Sequence, residues 1–456
     1  MTNRKRACST QLWRLVVLLL LATTRLAAED WPQWRGPLGL GVSAESGLPT
    51  SWSGDENLAW KARLRGLGAS SPIVWGDRVF ATSQLGRVPL DGDAHPGLAR
   101  QSAALAAKEK PIGGAWAGAG AEADDKIVLV VEAFNRLDGR RLWEHRMEAA
   151  GPLPRLHEKH NLASATPVTD GERVYAWFGT GQLVALDMEG RVVWTRHLGR
   201  EYSPFDINWG HGSSPVLHDG LLILLCDHSP ASYLLALDAR TGRERWKVDR
   251  GRGLASYSTP VIVPTPRGVE LVVNSSERVD AYDPATGRFL WHAGEPRRTP
   301  VPSPIFHDSV VYVSRGYRGS PYLAIRAGGR GDVSASHVEW QSASGAAYTS
   351  SLVHYRGLLY MTNDIGVLTC ADARTGERLW QTRLDGIFFA SPVAADGKVY
   401  LVSETGETLV LRAGRKPEIL ARNDLGERFL ASPAISKGQI FLRSDGTLFS
   451  IGTPQR

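Results

Sequence analysis

Four histidines and two aspartates fall in one stretch of the chain: His157, His160, Asp206, His211, Asp227 and His228. Imidazoles and carboxylates hold metals, move protons and orient nucleophiles. Their spacing supports none of these chemistries. The histidines match no ligand signature, and no Asp-x-Asp-x-Asp-Gly run offers a hard-cation loop. A Gly-x-Ser-x-Gly elbow for a serine nucleophile is missing. The Gly-rich stretches 316–319 and 328–331 lack the Lys-Ser/Thr of a phosphate loop. Without a Cys-x-x-Cys-His there is no attached haem. Cys226 and Cys370 read as buried free thiols. We therefore expect no catalytic residue, no metal ligand and no cofactor-binding residue.

What the same stretch offers is recognition. Asn208, Trp209, Arg252 and Arg315 join the six residues above, with Tyr257, Asn274, Tyr317 and Arg318 nearby. All ten fall in segments between predicted strands, where binding residues gather on a rigid scaffold. They form a candidate ligand or partner face: His157, His160, Asp206, Asn208, Trp209, His211, Asp227, His228, Arg252 and Arg315. Later positions of the same kind are plainer, at Asn363-Asp364, Glu404 and Asp445.

The elements that must hold this face come from a repeat. A strand start of the form Ser/Thr-Pro recurs at Ser71, Thr166, Ser214, Thr259, Ser303, Ser391 and Ser432, with Ser351-Leu352 in the same slot. From Thr166 on, the spacing is roughly 40–50 residues, the period of a propeller blade. Within each unit a tight turn follows, such as Asp219-Gly220 or Asp396-Gly397, then a second apolar strand. A third strand ends in Ala-x-Asp-x-x-Thr-Gly and a fourth carries tryptophan, as in Ala236 to Gly242 with Trp246. The tryptophan slot is filled at Trp60, Trp143, Trp194, Trp246, Trp291, Trp340 and Trp380, with Ile419-Leu420 in the eighth. In this position Gly supplies a left-handed turn, and each indole should lie between blades and offer its N–H to a neighbouring carbonyl.

Trp60 precedes the first Ser-Pro and has no strands of its own, while the last unit has only three strands. The N-terminal strand should complete the last blade. The expected fold is all-β: an eight-bladed β-propeller of four-stranded blades, closed by the N-terminal strand. Residues 29–56 form an N-terminal extension and 57–456 the propeller. An insertion of about 84–125 divides the second and third strands of the first blade and should emerge on the face of the polar arc.

At this point the repeat resembles the tryptophan-docking motif of the pyrroloquinoline quinone (PQQ)-like propellers, over about residues 57–452. That superfamily includes quinoprotein alcohol dehydrogenases and an outer-membrane barrel-assembly scaffold. The opening Asp30-Trp31-Pro32-Gln33-Trp34-Arg35-Gly36-Pro37 is similar to secreted bacterial PQQ-like repeat proteins without known activity. For the dehydrogenases the resemblance implies PQQ held with calcium, a vicinal disulfide and a catalytic Asp. No Cys-Cys pair occurs here. The reading is a non-catalytic binding or assembly scaffold without cofactor. A PQQ-dependent oxidoreductase with calcium is the alternative, and a barrel-assembly scaffold the second.

Composition fits this frame. The 456 residues are 43% hydrophobic, with 48 Gly and 15 Trp, enough apolar surface for a large core. Three cysteines exclude a disulfide-built scaffold. The net charge of +6 invites a nucleic-acid reading, but five basic residues (Arg4, Lys5, Arg6, Arg14, Arg25) lie in residues 1–28 beside an apolar run. That segment has the form of a secretory signal peptide cleaved near Ala28. Its removal leaves +1, so no nucleic-acid partner is expected. The mature chain should be a monomer without a membrane span, periplasmic or extracellular, engaging a protein, an envelope component or a small ligand.

Overall fold

The computed structural model describes residues 29–86 and 126–453, except residues 155, 158, 208, 252–253, 298–299 and 317–320. The leader, most of the insertion and the candidate residues Asn208 and Arg252, with Tyr317 and Arg318, lie outside the described residues. Among the described residues eight antiparallel sheets follow one another, each with four strands in consecutive order. They are the blades of an eight-bladed β-propeller. Blade 1 comprises Ile73–Trp75, Arg78–Leu85, Val128–Asn135 and Arg141–Glu148. Gln84 and Leu85, read as the start of the insertion, pair with Leu129 and Val128 inside this blade.

Burial explains why each strand type reads as it does. A second strand such as Leu221–Cys226 (LLILLC) is buried on both faces by the neighbouring blades, so its apolar run does not alternate. The outer strand Glu244–Gly251 alternates half-buried and exposed residues, because one face meets water. Blade 8 is built from Ala434–Ser436, Gln439–Arg443 and Thr447–Ile451, and its outer strand is Leu58–Arg63, paired from Leu58 with Ile451 to Arg63 with Thr447. This closes the ring and leaves no blade incomplete.

The Ser/Thr of the strand start has a structural reason that goes beyond hairpin geometry. Each one's backbone N–H donates to the hydroxyl of its counterpart in the next blade. Ser71 donates to Thr166 (2.9 Å), Thr166 to Ser214 (3.0 Å), Ser214 to Thr259 (3.0 Å) and Thr259 to Ser303 (2.7 Å). Ser303 then donates to Ser351 (3.0 Å), Ser351 to Ser391 (2.9 Å), Ser391 to Ser432 (2.9 Å) and Ser432 back to Ser71 (3.1 Å). Eight side chains thus form one closed circuit around the channel. The slot demands a hydroxyl acceptor, which Ser351 supplies without the proline.

A second circuit runs outside. The indole N–H of Trp60, Trp143, Trp194, Trp246, Trp340 and Trp380 donates to a carbonyl in the next blade, at 2.8–3.2 Å. In front of five of these indoles stands the turn glycine of the next blade, with φ near +70 to +83°. A Cβ at Gly139, Gly190, Gly242, Gly287 or Gly376 would lie 2.4–2.7 Å from the ring. Trp291 departs from the expected pattern. It donates to the Glu270 carboxylate of its own blade (2.7 Å), and Glu270 also accepts from Gly328 N. The cause is the longer turn of blade 5, where Gly331–Asp332 adds as a parallel strand beside Trp291–His292. At the junction without a tryptophan, Trp52 packs with Tyr400 into the core shared by blades 7 and 8.

Residues 29–48 form a strap over the hairpin end of the channel. Trp31 pairs with Val74 of blade 1, Pro32 O accepts from Thr169 N of blade 2, and Ser43 N donates to Ala394 O of blade 7. Leu40 rests on the cores of blades 4 to 6. Glu45 accepts the backbone N–H groups of Lys437 and Gly438 in blade 8. Arg35, buried in the middle, gives two hydrogen bonds to the carbonyls of Leu40 and Leu352. A segment with no repeat of its own therefore ties the ring together across its axis.

Candidate functional site

With one end strapped, the channel opens at the other as a funnel of about 240 Å³. Its floor is Trp34 of the strap, and its lower wall is the part of the hydroxyl circuit made by Ser71, Thr166, Ser214, Ser391 and Ser432. Side chains two residues apart on a strand point the same way. The residues two before each circuit position accordingly line the funnel: Ala69, Ser164, Gly212, Tyr257, Val301, Thr349, Phe389 and Leu430. The set is lopsided. Small residues at blades 1 to 3 leave a gap, and His157, Lys159, His160 and Trp209 from the loops entering blades 2 and 3 fill the rim of that gap.

Of the sequence candidates, His157, His160 and Trp209 reach the funnel. Trp209 holds φ at 73°, a left-handed backbone that is strained for a bulky residue. Its ring lies 6.1 Å from Tyr257. His157 Nδ1 accepts from Lys159 N (3.1 Å), and His160 Nδ1 meets the Ser164 hydroxyl at 3.3 Å. Burial in the funnel wall pushes the His160 imidazole down to about 4, so it is neutral near pH 7.

The other described candidates stand behind or beside that surface. His211 packs on Trp177 (4.1 Å between ring centres) and Phe205, while His228 packs on Phe205 (4.2 Å) and meets Ser229 O through Nδ1 (2.9 Å). Burial drives both imidazoles toward the neutral form. Asp227 is held by Arg250 through both oxygens (2.8 and 3.1 Å) and by Ser275, and Arg250 also bonds Asp280. Arg315 braces the neighbouring loops through Asn274, Ser275 O and Glu295 O. Desolvation lowers its guanidinium to about 10. Asp206 is exposed at the rim and pairs by backbone with Ser229. Polarity in a loop does not tell which side of the loop a residue takes, and these four buried groups are supports.

Sequence reasoning passed over Lys159, Phe389, Tyr348, Leu430 and Trp34. Lys159 reaches from the blade 2 loop across the mouth to Glu404 of blade 7 (2.8 Å) and lies 4.3 Å above the Phe389 ring. Glu404 is also gripped by Arg428 (2.9 and 2.7 Å), which faces Asp445 at 3.5 Å. Thr349 donates from its hydroxyl to Asp364 behind it (2.9 Å). Burial raises the Asp364 carboxyl to about 6. No carboxylate lines the funnel itself. Among the described residues no group of three or more His, Cys, Asp or Glu is placed to hold a metal ion. Cys226 and Cys370 are buried free thiols, and burial pushes that of Cys370 up to about 12. No helix among the described residues is long and apolar enough to cross a membrane.

Comparison with known proteins places this geometry. The model of the family described as outer membrane protein assembly factor BamB matches residues 129–382 and 330–416. BamB of Yersinia pestis is 25% identical over 345 residues, covering 74% of this chain and 73% of that protein. The tetrathionate hydrolase of Acidithiobacillus ferrooxidans is 25% identical over 292 residues, 60% of this chain. The chain spans only 53% of the hydrolase. Among solved structures, a quinohemoprotein alcohol dehydrogenase from Comamonas testosteroni aligns with TM-score 0.63 at 13% identity, over 94% of this chain and 81% of that one. BamB from Moraxella catarrhalis aligns with TM-score 0.56 at 14% identity, over 88% and 98%. At these identities the structural likeness concerns the fold.

Proposed function

We propose, from the premise that the chain belongs to the PQQ-like propeller family described as outer membrane protein assembly factor BamB, that it is an exported, non-catalytic binding scaffold. The ring holds still, and the axial funnel receives a small ligand or a protruding group of a protein partner. One observation carries this reading: the channel is sealed by the strap at one end and open at the other onto an aromatic cavity with few polar groups. Concave apolar sites with sparse, placed polar groups are the usual form of a ligand site. The leader-like segment 1–28 and the outer-membrane assembly family both support export to the periplasm or beyond.

PQQ with calcium is the cofactor that kinship with the dehydrogenases brings to mind, and the residues present do not fit it. Calcium takes six to eight oxygen ligands, mostly carboxylates and carbonyls. The funnel lining offers no carboxylate, its nearby acids Glu404 and Asp364 are engaged with Lys159, Arg428 and Thr349, and the two buried cysteines lie in different blades. The test is a titration of the purified mature chain with PQQ and calcium, followed by tryptophan fluorescence and reduction of an electron-accepting dye. The scaffold reading expects no dye reduction with alcohols or sugars. Saturable PQQ binding with turnover would overturn it in favour of an oxidoreductase.

A further inference from the structure

The geometry points to a ligand class for the funnel: an organic oxyanion, a carboxylate or sulfonate carried on a flat apolar body. This rests on the funnel being a binding site and concerns what it selects. The first observation is the direction of its hydrogen bonds. Ser71, Thr166, Ser214, Ser391 and Ser432 each accept one backbone N–H, and among the described residues none of the five hydroxyls donates to a protein acceptor. A hydroxyl keeps one proton to give. Five such protons border the floor of one cavity. A ligand seated there meets donors, and the lining has no carboxylate to receive donors in return.

The second observation is charge. Arg35 lies beneath the floor, its Cζ 5.7 Å from the centre of the Trp34 ring, and no carboxylate pairs with it. Its Nε and Nη1 have no protein acceptor although the residue is 1% exposed. Burial lowers its guanidinium only to about 9, so it stays charged at neutral pH. At the mouth, Lys159 adds a second cation, balanced by Glu404 on the side away from the cavity lining. The axis is therefore positive at the floor. The third observation is shape, since Trp34, Trp209, Tyr257, Tyr348 and Phe389 present ring faces and edges suited to a flat body. Sugars fit poorly, because their many hydroxyls need acceptors as well as donors. Organic cations meet the wrong field.

The experiment uses the mature chain and four probes of one size: benzoate, benzenesulfonate, benzyl alcohol and benzylamine. Binding is followed by calorimetry and by tryptophan fluorescence. Benzoate and benzenesulfonate should each bind at least tenfold tighter than benzyl alcohol, with benzylamine weakest. Ser432→Ala should weaken benzoate about tenfold, the scale of one hydrogen bond to a charged group. Ser432→Thr, which keeps the hydroxyl, should restore it, and a circular dichroism spectrum and melting curve report that each variant is folded. If benzyl alcohol or benzylamine binds as well as benzoate, the funnel is a site of different chemistry and this inference fails alone. If none of the four binds, the inference and the funnel reading fail together. A loss in Ser432→Ala that Ser432→Thr does not restore also contradicts it.

Discussion

Blade 6 contains a matched pair of glycines that weighs the tryptophan docking. Gly357 sits in the hairpin after the first strand with φ +77° and nothing within 4 Å of a would-be Cβ. Gly376 sits in the turn before the outer strand with φ +72°, and its Cβ would stand 2.4 Å from Cε3 of Trp340. Alanine at either site bears the left-handed backbone cost of about 1–2 kcal/mol. At Gly376 it must also displace the indole, which adds an overpacking cost of about 1–3 kcal/mol. Part of that cost is the hydrogen bond from Trp340 Nε1 to Ala373 O (3.1 Å), about 1 kcal/mol net. With an unfolding entropy of about 2.1 cal/mol/K per residue, 1 kcal/mol moves the midpoint of a chain this long by about 1 °C. Gly357→Ala should then lower the melting temperature by about 1–2 °C, and Gly376→Ala by about 1–4 °C more. Scanning calorimetry of both variants at one scan rate decides it. Equal shifts would refute the reasoning, since they would mean that the indole–turn contact contributes nothing.

Three further outcomes follow from the same structure. Ser214→Ala leaves the Thr166 N–H in the channel wall without its acceptor and should cost about 1–3 kcal/mol, whereas Ser214→Thr should cost much less; denaturation midpoints compare the two. Trp31→Ala removes the fully buried anchor of the strap and should cost about 3–5 kcal/mol, with faster proteolysis of residues 29–48 as the local readout. Asp364 has a folded pKa of about 6, raised by burial above its ordinary 3.8, so the folded state holds the proton more tightly and its ionisation costs stability as pH rises from about 4 to about 6. Asp364→Asn should therefore gain on the wild type across that window, by up to about 3 kcal/mol, and a constant difference from pH 4 to pH 7 would contradict this.

Much of the fold was legible because it is written as a repeat. The period, the tryptophan slot and the short final unit together set the blade number and the closing strand. Trp291 escaped because its local motif is complete, and only the longer turn of the next blade changes its partner. The strap was illegible for a different reason: residues 29–48 have no periodicity, and their order comes from contacts made one at a time with separate blades. The candidate face was half legible. His157, His160 and Trp209 line the funnel, while His211, Asp227, His228 and Arg315 turn inward to satisfy buried loops. A signal for the remaining lining was present in the repeat itself. The residue two before each circuit Ser or Thr shares its side of the strand, which selects Tyr257, Thr349, Phe389 and Leu430 without any appeal to polarity.

The central claim is that the funnel, and not the outer rim of the blades, is where this scaffold engages its ligand. A photo-activated cross-linking residue placed at Leu430, in the funnel, and in a second chain at Val193, exposed on the outer strand of blade 2, tests this in cells that export the protein. The account predicts an adduct of defined mass at Leu430, reduced by excess benzoate, and none at Val193. An adduct at Val193 with none at Leu430 would contradict it.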